Sequence, residues 1–262
     1  MRKYLLTGTV ILWTAAFLAI LYPKITNLQA MEEHYRAEQA YREQDSSGER
    51  DAADSYNRKI AESGITNPGD NIEDPEYDSL LDTGDGIMAY LEIPAISLRL
   101  PVRHYTSDDV LSIGLGHLHG TSLPVGGKGT HAVIAGHSGM LKDDMFDHLT
   151  ELSAGDTFRV VCAGETEVYR VAGAETVLPE EAGKSIFIDP EKDLVTLMTC
   201  VPYGINSHRL MITGERETAP AEAEMAKPES PAPYFALGAA WLLAAGLILT
   251  RIWSGCNKKG GI

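Results

Sequence analysis

The amino-acid sequence predicts an all-β domain flanked by two membrane-spanning helices. From Met88 to about Glu215, short runs rich in β-branched and aromatic residues alternate with turns that contain proline or glycine. Many short strands at this spacing favour a closed or sandwiched sheet. Two uncharged apolar stretches, Leu5 to Tyr22 and Phe235 to Thr250, lie on either side of that region.

The composition limits the possible partners of the chain. The 262 residues, a length that suggests about one or two domains, carry a formal net charge of −15. Nucleic-acid binding needs clustered lysine and arginine, and the sequence has no basic patch with interleaved aromatic residues. The acidic balance indicates a soluble, self-repelling surface and no nucleic-acid partner.

Residues 1–24 and 234–254 are predicted to be transmembrane segments, since a membrane helix needs roughly 17–25 apolar residues. Arg2 and Lys3 precede the first segment, and Arg251, Lys258 and Lys259 follow the second. Cationic flanks tend to stay in the cytoplasm. We therefore expect contact with membrane lipid, both termini inside, a cytoplasmic tail at 255–262, and an extracytoplasmic domain.

A cleaved signal peptide is the alternative for the first segment. Its end, Leu21-Tyr22-Pro23-Lys24, has no small-x-small cleavage pattern. The anchored form is therefore favoured.

Residues 25–63 are predicted to be a helical spacer. An apolar stripe at three- and four-residue steps begins an amphipathic helix that extends to about Gln44, and a second, polar helix is expected from about Glu49 to Ser63. Residues 64–87 follow as a loop rich in Asn, Pro, Gly and Asp, which is typical of a lid or a linker.

Residues 88–215 are predicted to be the β domain, and residues 216–233 a disordered linker. Short helices are expected at Ser107–Leu111 and Asp144–Leu152. The predicted strands are Met88–Ile93, Leu98–Val102, His131–Ala135, Asp156–Cys162, Thr166–Val177, Leu194–Cys200 and Arg209–Gly214.

Three side chains at strand ends suggest acyl transfer through a cysteine. Cys200 ends one predicted strand, Arg209 begins the next, and His137 follows a third strand after a glycine. A thiol can attack a carbonyl, an imidazole can move the proton, and a guanidinium can hold the oxygen that becomes negative. Thr199, beside the cysteine, is either a strand former or a substrate-binding hydroxyl.

The remaining cysteines and histidines suggest no cofactor. Cys162 is typical of a buried strand residue, and Cys256 follows the second apolar segment. The sequence leaves open a disulfide between Cys162 and Cys200, although such a bond would silence the reactive thiol. No group has close metal-ligand spacing, so no metal is predicted.

The strings that surround these residues resemble the sortases, membrane-bound cysteine transpeptidases of Gram-positive bacteria. They are TLMTC ending at Cys200, AGHSG around His137, and the strand arginine Arg209, in the family's order. The similarity spans about Tyr90 to Glu215. The resemblance implies an eight-stranded β-barrel, with Cys200 as nucleophile, His137 as acid and base, and Arg209 as stabiliser of the oxyanion or the substrate carbonyl.

Further strings resemble class C, the branch that polymerises pilins. They are AYLEIP from Ala89, GHLHGTSLPVGG from Gly116, and TCVPYGIN from Thr199. Class C enzymes often have a lid in which an aspartate meets the arginine and an aromatic ring covers the cysteine. Asp74 and Tyr77 are the candidates here, although the aromatic residue is displaced by one position.

The resemblance implies cleavage of an LPXTG-like signal between Thr and Gly and transfer of the acyl group to a lysine amine of a second pilin subunit. The alternatives are a housekeeping sortase that attaches surface proteins to a cell-wall precursor, a plain peptidase, and a non-enzymatic membrane scaffold that binds sorting signals.

Overall fold

A computed structural model of the chain describes residues 2–44, 46–64, 69, 74–82, 84, 86–139, 145–217 and 227–257. It contains two compact units. One comprises Met1–Tyr35 with Ala226–Ile262, and the other comprises Arg36–Met225.

The first unit contains most of one long helix and a second helix near the C-terminus. α1 (Arg2–Arg42) is continuous through Pro23, and a C-terminal helix covers Ala232–Asn257. Both are long and apolar enough to cross a membrane by length and composition, over Lys3–Arg42 and Ala232–Ser254. Within this unit the rings of Phe17 and Trp241 stack with centroids 4.6 Å apart.

The second unit confirms the all-β prediction, because its sheet closes in the order β1-β2-β3-β4-β7-β8-β6-β5. The sequence pattern located seven of the strands. The eighth, implied only by the resemblance, is β3, whose three residues are too few to show a period-two pattern. The strands are β1 (Ile87–Ile93), β2 (Leu98–His104), β3 (Leu115–His117), β4 (Thr130–Ala135), β5 (Thr157–Cys162), β6 (Glu165–Val177), β7 (Asp193–Val201) and β8 (His208–Arg216).

Alternation along the strands separates the barrel interior from an outer apolar layer. Leu197 on β7 and Ile212 on β8 belong to the main core. Their neighbours Met198 and Met211 point the other way, into a second cluster with Ile186. Ile186 lies in the β6–β7 connection, which therefore covers the outer face of these strands.

The predicted second helix, α2 (Ser47–Ser63), is present but is not a spacer. Ala53 and Tyr56 belong to the barrel's hydrophobic core. Asn57 is buried, and its side-chain amide donates to the carbonyl oxygen of Leu123 (3.0 Å) and accepts from the Leu123 amide (2.7 Å). These contacts make α2 part of the folded domain.

The short helices differ from their predicted lengths. α3 (Pro75–Ser79) precedes the barrel, and α4 (Asp108–Leu111) confirms the first predicted helix. The helix predicted for Asp144–Leu152 is reduced to a 3₁₀ turn at Leu149–Glu151, and its first residue lies outside the described part of the chain. The C-terminal helix is α5 in chain order, and residues 258–262 of the predicted tail also lie outside the described residues.

Candidate active site

Strand register brings the three predicted catalytic positions to one end of the barrel. β7 and β8 are antiparallel, with Cys200 directly opposite Arg209. β4 and β7 are parallel, with Ala135 level with Met198. His137 is two residues beyond Ala135, and Cys200 is two residues beyond Met198. The three positions therefore form a row across β4, β7 and β8.

Cys200 and Arg209 share a face of the sheet. Leu197 and Leu210 point into the core, so the alternating positions Cys200 and Arg209 point outward. Directly opposed residues on antiparallel strands have Cβ atoms about 5 Å apart. The thiol and the guanidinium stem are therefore near neighbours, and both side chains are partly exposed.

Hydrogen bonds on both sides of His137 fix its backbone to the end of β7. The Gly136 amide donates to the carbonyl oxygen of Met198 at 3.1 Å, and Thr199 Oγ1 donates to the carbonyl oxygen of Gly136 at 2.8 Å. Ser138 Oγ donates to the carbonyl oxygen of Cys200 at 2.6 Å. The histidine is thus held beside the cysteine by bonds that do not use its ring.

Gly136 allows this close approach. A Cβ atom there would lie 2.6 Å from Leu115 and 2.7 Å from the ring of Phe146, both inside normal contact distance. A side chain at position 136 would push the His137 backbone away from the barrel.

A cleft of about 410 Å³ opens beside the thiol. Tyr203, in the β7–β8 loop, is 63% exposed at its edge. The residues that line the cleft are Ser138, Phe146, Asp147, Thr150, Thr199, Cys200, Val201, Pro202 and Tyr203. Such a cleft can admit a peptide segment to the sulfur.

Arg209 keeps its charge available. Its Nη1 donates to the carbonyl oxygens of Asn206 and His208, both at 3.3 Å. Among the described residues it pairs with no carboxylate, so no fixed negative charge cancels the guanidinium. An oxyanion formed beside Cys200 could accept hydrogen bonds from it.

The two described thiols have opposite environments. Cys162 on β5 is buried, and its Sγ donates to the carbonyl oxygen of Met88 at 3.3 Å. Burial raises the pKa of the Cys162 thiol to about 12. Cys200 is partly exposed and unbonded to another cysteine. Only Cys200 therefore combines access with a nearby cation.

The sequence left the role of the Thr199 hydroxyl undecided, and the structure gives it a structural role. The side chain is buried, and within the described part of the chain its hydroxyl donates to the carbonyl oxygen of Gly136. Thr199 also lines the cleft. Its direct role in substrate binding remains a prediction, whereas its contact with the His137 segment is explicit.

Asp74, the first of the two lid candidates, has partners other than the arginine that the resemblance suggests. Its carboxylate caps α3 by accepting from the Tyr77 amide at 3.1 Å. It also accepts from the hydroxyl of Tyr56 at 3.1 Å and lies 3.2 Å from Nε2 of His119. None of its contacts in the described part of the chain is with Arg209.

Tyr77 likewise does not cover Cys200. Its ring is fully buried in an aromatic cluster, and its hydroxyl lies 2.8 Å from Nδ1 of His117. Burial lowers the pKa of His117 to about 3, so this partner is neutral. Tyr77 is thus an anchor of α3. Residues 65–68 and 70–73 of the predicted lid lie outside the described residues.

Sequence reasoning missed Asp147, a carboxylate in the cleft. It lies in a stretch predicted as a helix, and no spacing or motif distinguishes it from other surface aspartates. Its Oδ1 accepts from the amide of Gly139 at 2.6 Å. Among the described residues no group of three or more His, Cys, Asp or Glu side chains could hold a metal.

Comparisons with known proteins agree with this fold. A sequence model of the Sortase domain family matches residues 91–217. The crystal structure of sortase C-1 from Actinomyces oris is 42% identical, covers 66% of this chain and 99% of its own, and has a TM-score of 0.62. The chain belongs to the sortase family. This is a family of cysteine transpeptidases, and the structural relatives support membership of class C.

Two further relatives show the range of the similarity. Sortase C from Streptococcus pneumoniae, whose structure is described as informing catalysis and pilin substrate specificity, is 31% identical, with 74% of this chain and 100% of its own covered and a TM-score of 0.64. Sortase A from Bacillus anthracis is 30% identical over 129 residues, 49% of this chain and 59% of its own length. The chain thus spans less than two thirds of that curated relative.

Proposed function

We propose that this sortase is a membrane-anchored transpeptidase that cleaves an LPXTG-like signal between Thr and Gly. It then joins the Thr carbonyl to a lysine amine of another pilin subunit. The row of His137, Cys200 and Arg209 carries this proposal. Cys200 is the nucleophile, His137 the proton carrier and Arg209 the oxyanion donor.

The first half-reaction transfers the acyl group to sulfur. The Cys200 thiolate attacks the Thr carbonyl, and Arg209 donates hydrogen bonds to the oxygen that becomes negative. When the C–N bond breaks, protonated His137 gives its proton to the leaving amine. A neutral thioester, a neutral imidazole and a free glycine amine result, so charge and protons balance.

The second half-reaction transfers the acyl group to the acceptor. A lysine ammonium passes one proton to His137, and the amine attacks the thioester carbonyl. The C–S bond breaks and the departing sulfur takes the second proton. The products are an amide, a thiol and protonated His137, and loss of one proton from the thiol to solvent restores the starting pair.

Two observations support the pilin acceptor and the membrane setting. The structural relatives include class C sortases, among them the Streptococcus pneumoniae enzyme described with pilin substrates. Two candidate membrane spans flank the sortase domain in the sequence. In the proposed topology both termini are cytoplasmic and the barrel lies outside the membrane.

The experiment uses the full chain in detergent with an LPXTG peptide and a lysine-bearing pilin peptide. Mass spectrometry should show the acyl group on Cys200 and then on the lysine. Cys200→Ala should abolish both products, whereas Cys162→Ala should retain them in the fraction that folds.

The acceptor decides between pilin polymerisation and cell-wall attachment. Faster transfer to the lysine peptide than to a lipid-linked peptidoglycan amine supports the pilin proposal. Preference for the peptidoglycan amine would replace it with the housekeeping function. Absence of any acyl adduct on Cys200 would refute the transpeptidase itself.

A further inference from the structure

The cleft beside Cys200 contains one formally charged side chain among the described residues that line it. That side chain is Asp147, and the hydroxyl residues Ser138 and Thr150 lie in the same lining. Its carboxylate is partly exposed. A negative group in a cleft attracts a cation, whereas a neutral peptide gains no charge–charge attraction from it.

Asp147 is held in a fixed position relative to the row of reactive residues. Its Oδ1 accepts from the Gly139 amide at 2.6 Å, and the preceding residue, Phe146, donates its amide to the carbonyl oxygen of His137 at 3.1 Å. Consecutive residues of one turn thus bind both ends of the His137–Gly139 segment.

Only half of the Asp147 carboxylate is used by this turn. Oδ1 fastens the segment, while Oδ2 has no partner among the described residues. Fastening the segment requires only one acceptor oxygen, which an asparagine would also supply. The charge and the second oxygen therefore need another explanation.

We propose that Asp147 forms the subsite for the acceptor amine and binds its ammonium group before transfer. This inference rests on the proposed function. A lysine ammonium has a pKa of about 10.4, so the acceptor arrives charged at neutral pH. A carboxylate beside the thioester concentrates it there, and Ser138 and Thr150 offer additional oxygen acceptors.

The step balances without any additional reactant. The ammonium held by Asp147 gives one proton to the neutral imidazole of His137, and its lone pair then forms the C–N bond. The C–S bond breaks, and the sulfur of Cys200 takes the second proton from nitrogen. Asp147 neither takes nor gives a proton in this step, so it acts by binding and orientation and not as the base.

The test is Asp147→Asn in the full chain, which keeps the bond to the Gly139 amide and removes the charge. We expect KM for the amine acceptor to rise about tenfold, the usual scale for a charge-assisted hydrogen bond. Formation of the Cys200 acyl adduct should change by less than about twofold, because that step does not involve the acceptor.

Hydroxylamine supplies the matched nucleophile, since it is uncharged at neutral pH. Its reaction with the acyl-enzyme should be unchanged in Asp147→Asn. The control variant is Glu151→Gln, which removes a nearby exposed charge outside the cleft lining and should leave KM for both nucleophiles unchanged.

The outcomes separate this inference from the proposed function. An acyl adduct with an unchanged KM for the charged amine in Asp147→Asn would overturn the subsite. If Asp147→Asn slowed the reactions of the acyl-enzyme with lysine and with hydroxylamine equally, Asp147 would act through the shape of the turn. That result would also contradict the proposed subsite. No adduct in the unaltered chain would refute the transpeptidase proposal instead.

Discussion

The two ends of the β7–β8 strand pair have opposite chemistry. At one end Asp193 is buried and accepts from the Gly127 amide at 2.6 Å, the Tyr169 hydroxyl at 3.0 Å and Arg216 at 3.2 Å. At the other end Cys200 and Arg209 face each other, partly exposed, and neither pairs with a carboxylate among the described residues. One end is saturated with hydrogen bonds and the other leaves its reactive groups available.

The contrast shows how a barrel can hold reactive groups in place without bonding them directly. The saturated end and the apolar core fix the strand register, and register alone sets Cys200 opposite Arg209. The groups themselves remain free to bind substrate. Sites built on strands gain position from the scaffold in this way.

The largest expected contrast is in thiol labelling. A small alkylating reagent should modify Cys200 in the folded chain at least roughly 10³ times faster than Cys162, because buried thiols react only after local unfolding. Burial raises the pKa of Cys162 to about 12, which further lowers its thiolate fraction at neutral pH. Peptide mapping by mass spectrometry measures both rates.

Denaturant provides the control for that contrast. In the unfolded chain the two thiols should react within about threefold of each other, since both then approach the ordinary thiol pKa of about 8.5. Comparable rates in the folded chain would show that Cys200 is as inaccessible as Cys162.

Arginine substitutions at the two ends of β8 separate catalysis from stability. Arg209→Ala should lower kcat about 10²–10³-fold through loss of the oxyanion donor, with little change in the free energy of unfolding. Arg216→Ala should leave kcat of the folded fraction unchanged. It should lower the free energy of unfolding by about 2–3 kcal/mol, because Asp193 and Glu167 each lose one charged partner.

Steady-state kinetics and denaturant titration of both variants test this division. If Arg209→Ala destabilised the barrel while kcat stayed constant, Arg209 would be a structural residue and not the oxyanion donor. An effect of Arg216→Ala on kcat would show that the two ends are coupled.

Sequence patterns predict the barrel well where strands are long. The apolar, β-branched runs of β7 and β8 are enough to place Cys200 and Arg209 at neighbouring strand ends, and the strand register confirms that placement. β3 was missed because Leu115-Gly116-His117 carries too few side chains to establish a period. The docking of α2 had a signal, since Ala53, Tyr56, Asn57 and Ile60 follow helical spacing, but Asn57 looked polar and therefore exposed.

The contacts of the two lid candidates could not be predicted from the sequence for a different reason. A motif with one displaced position gave Tyr77 a role that depends on its three-dimensional neighbours. Those neighbours are His117 and the aromatic cluster, which come from β3 and the segments beside it. Asp147 was missed because its value depends on the cleft that surrounds it. The roles of Tyr77 and Asp147 both depend on tertiary contacts, which the local sequence pattern does not predict.

The smallest expected effect comes from substitution of Thr199, a buried residue whose hydroxyl bonds to the segment that precedes His137. Thr199→Val keeps the shape of a buried strand residue but removes the hydrogen bond to the carbonyl oxygen of Gly136. The free energy of unfolding should fall by about 1 kcal/mol. Because that bond holds the segment preceding His137, kcat should also fall, by about fivefold.

Thr196→Val is the matched control on the same strand. Its hydroxyl lies 2.8 Å from Nε2 of His131 and 2.8 Å from Thr213 Oγ1, away from the His137 segment. Thr196→Val should lower the free energy of unfolding by a similar amount and leave kcat unchanged. Equal kcat values for the two variants would mean that the Thr199 hydroxyl does not position the histidine. A selective loss in Thr199→Val, measured at saturating signal peptide, would assign that hydroxyl to positioning the imidazole, because a general loss of stability would lower both variants alike.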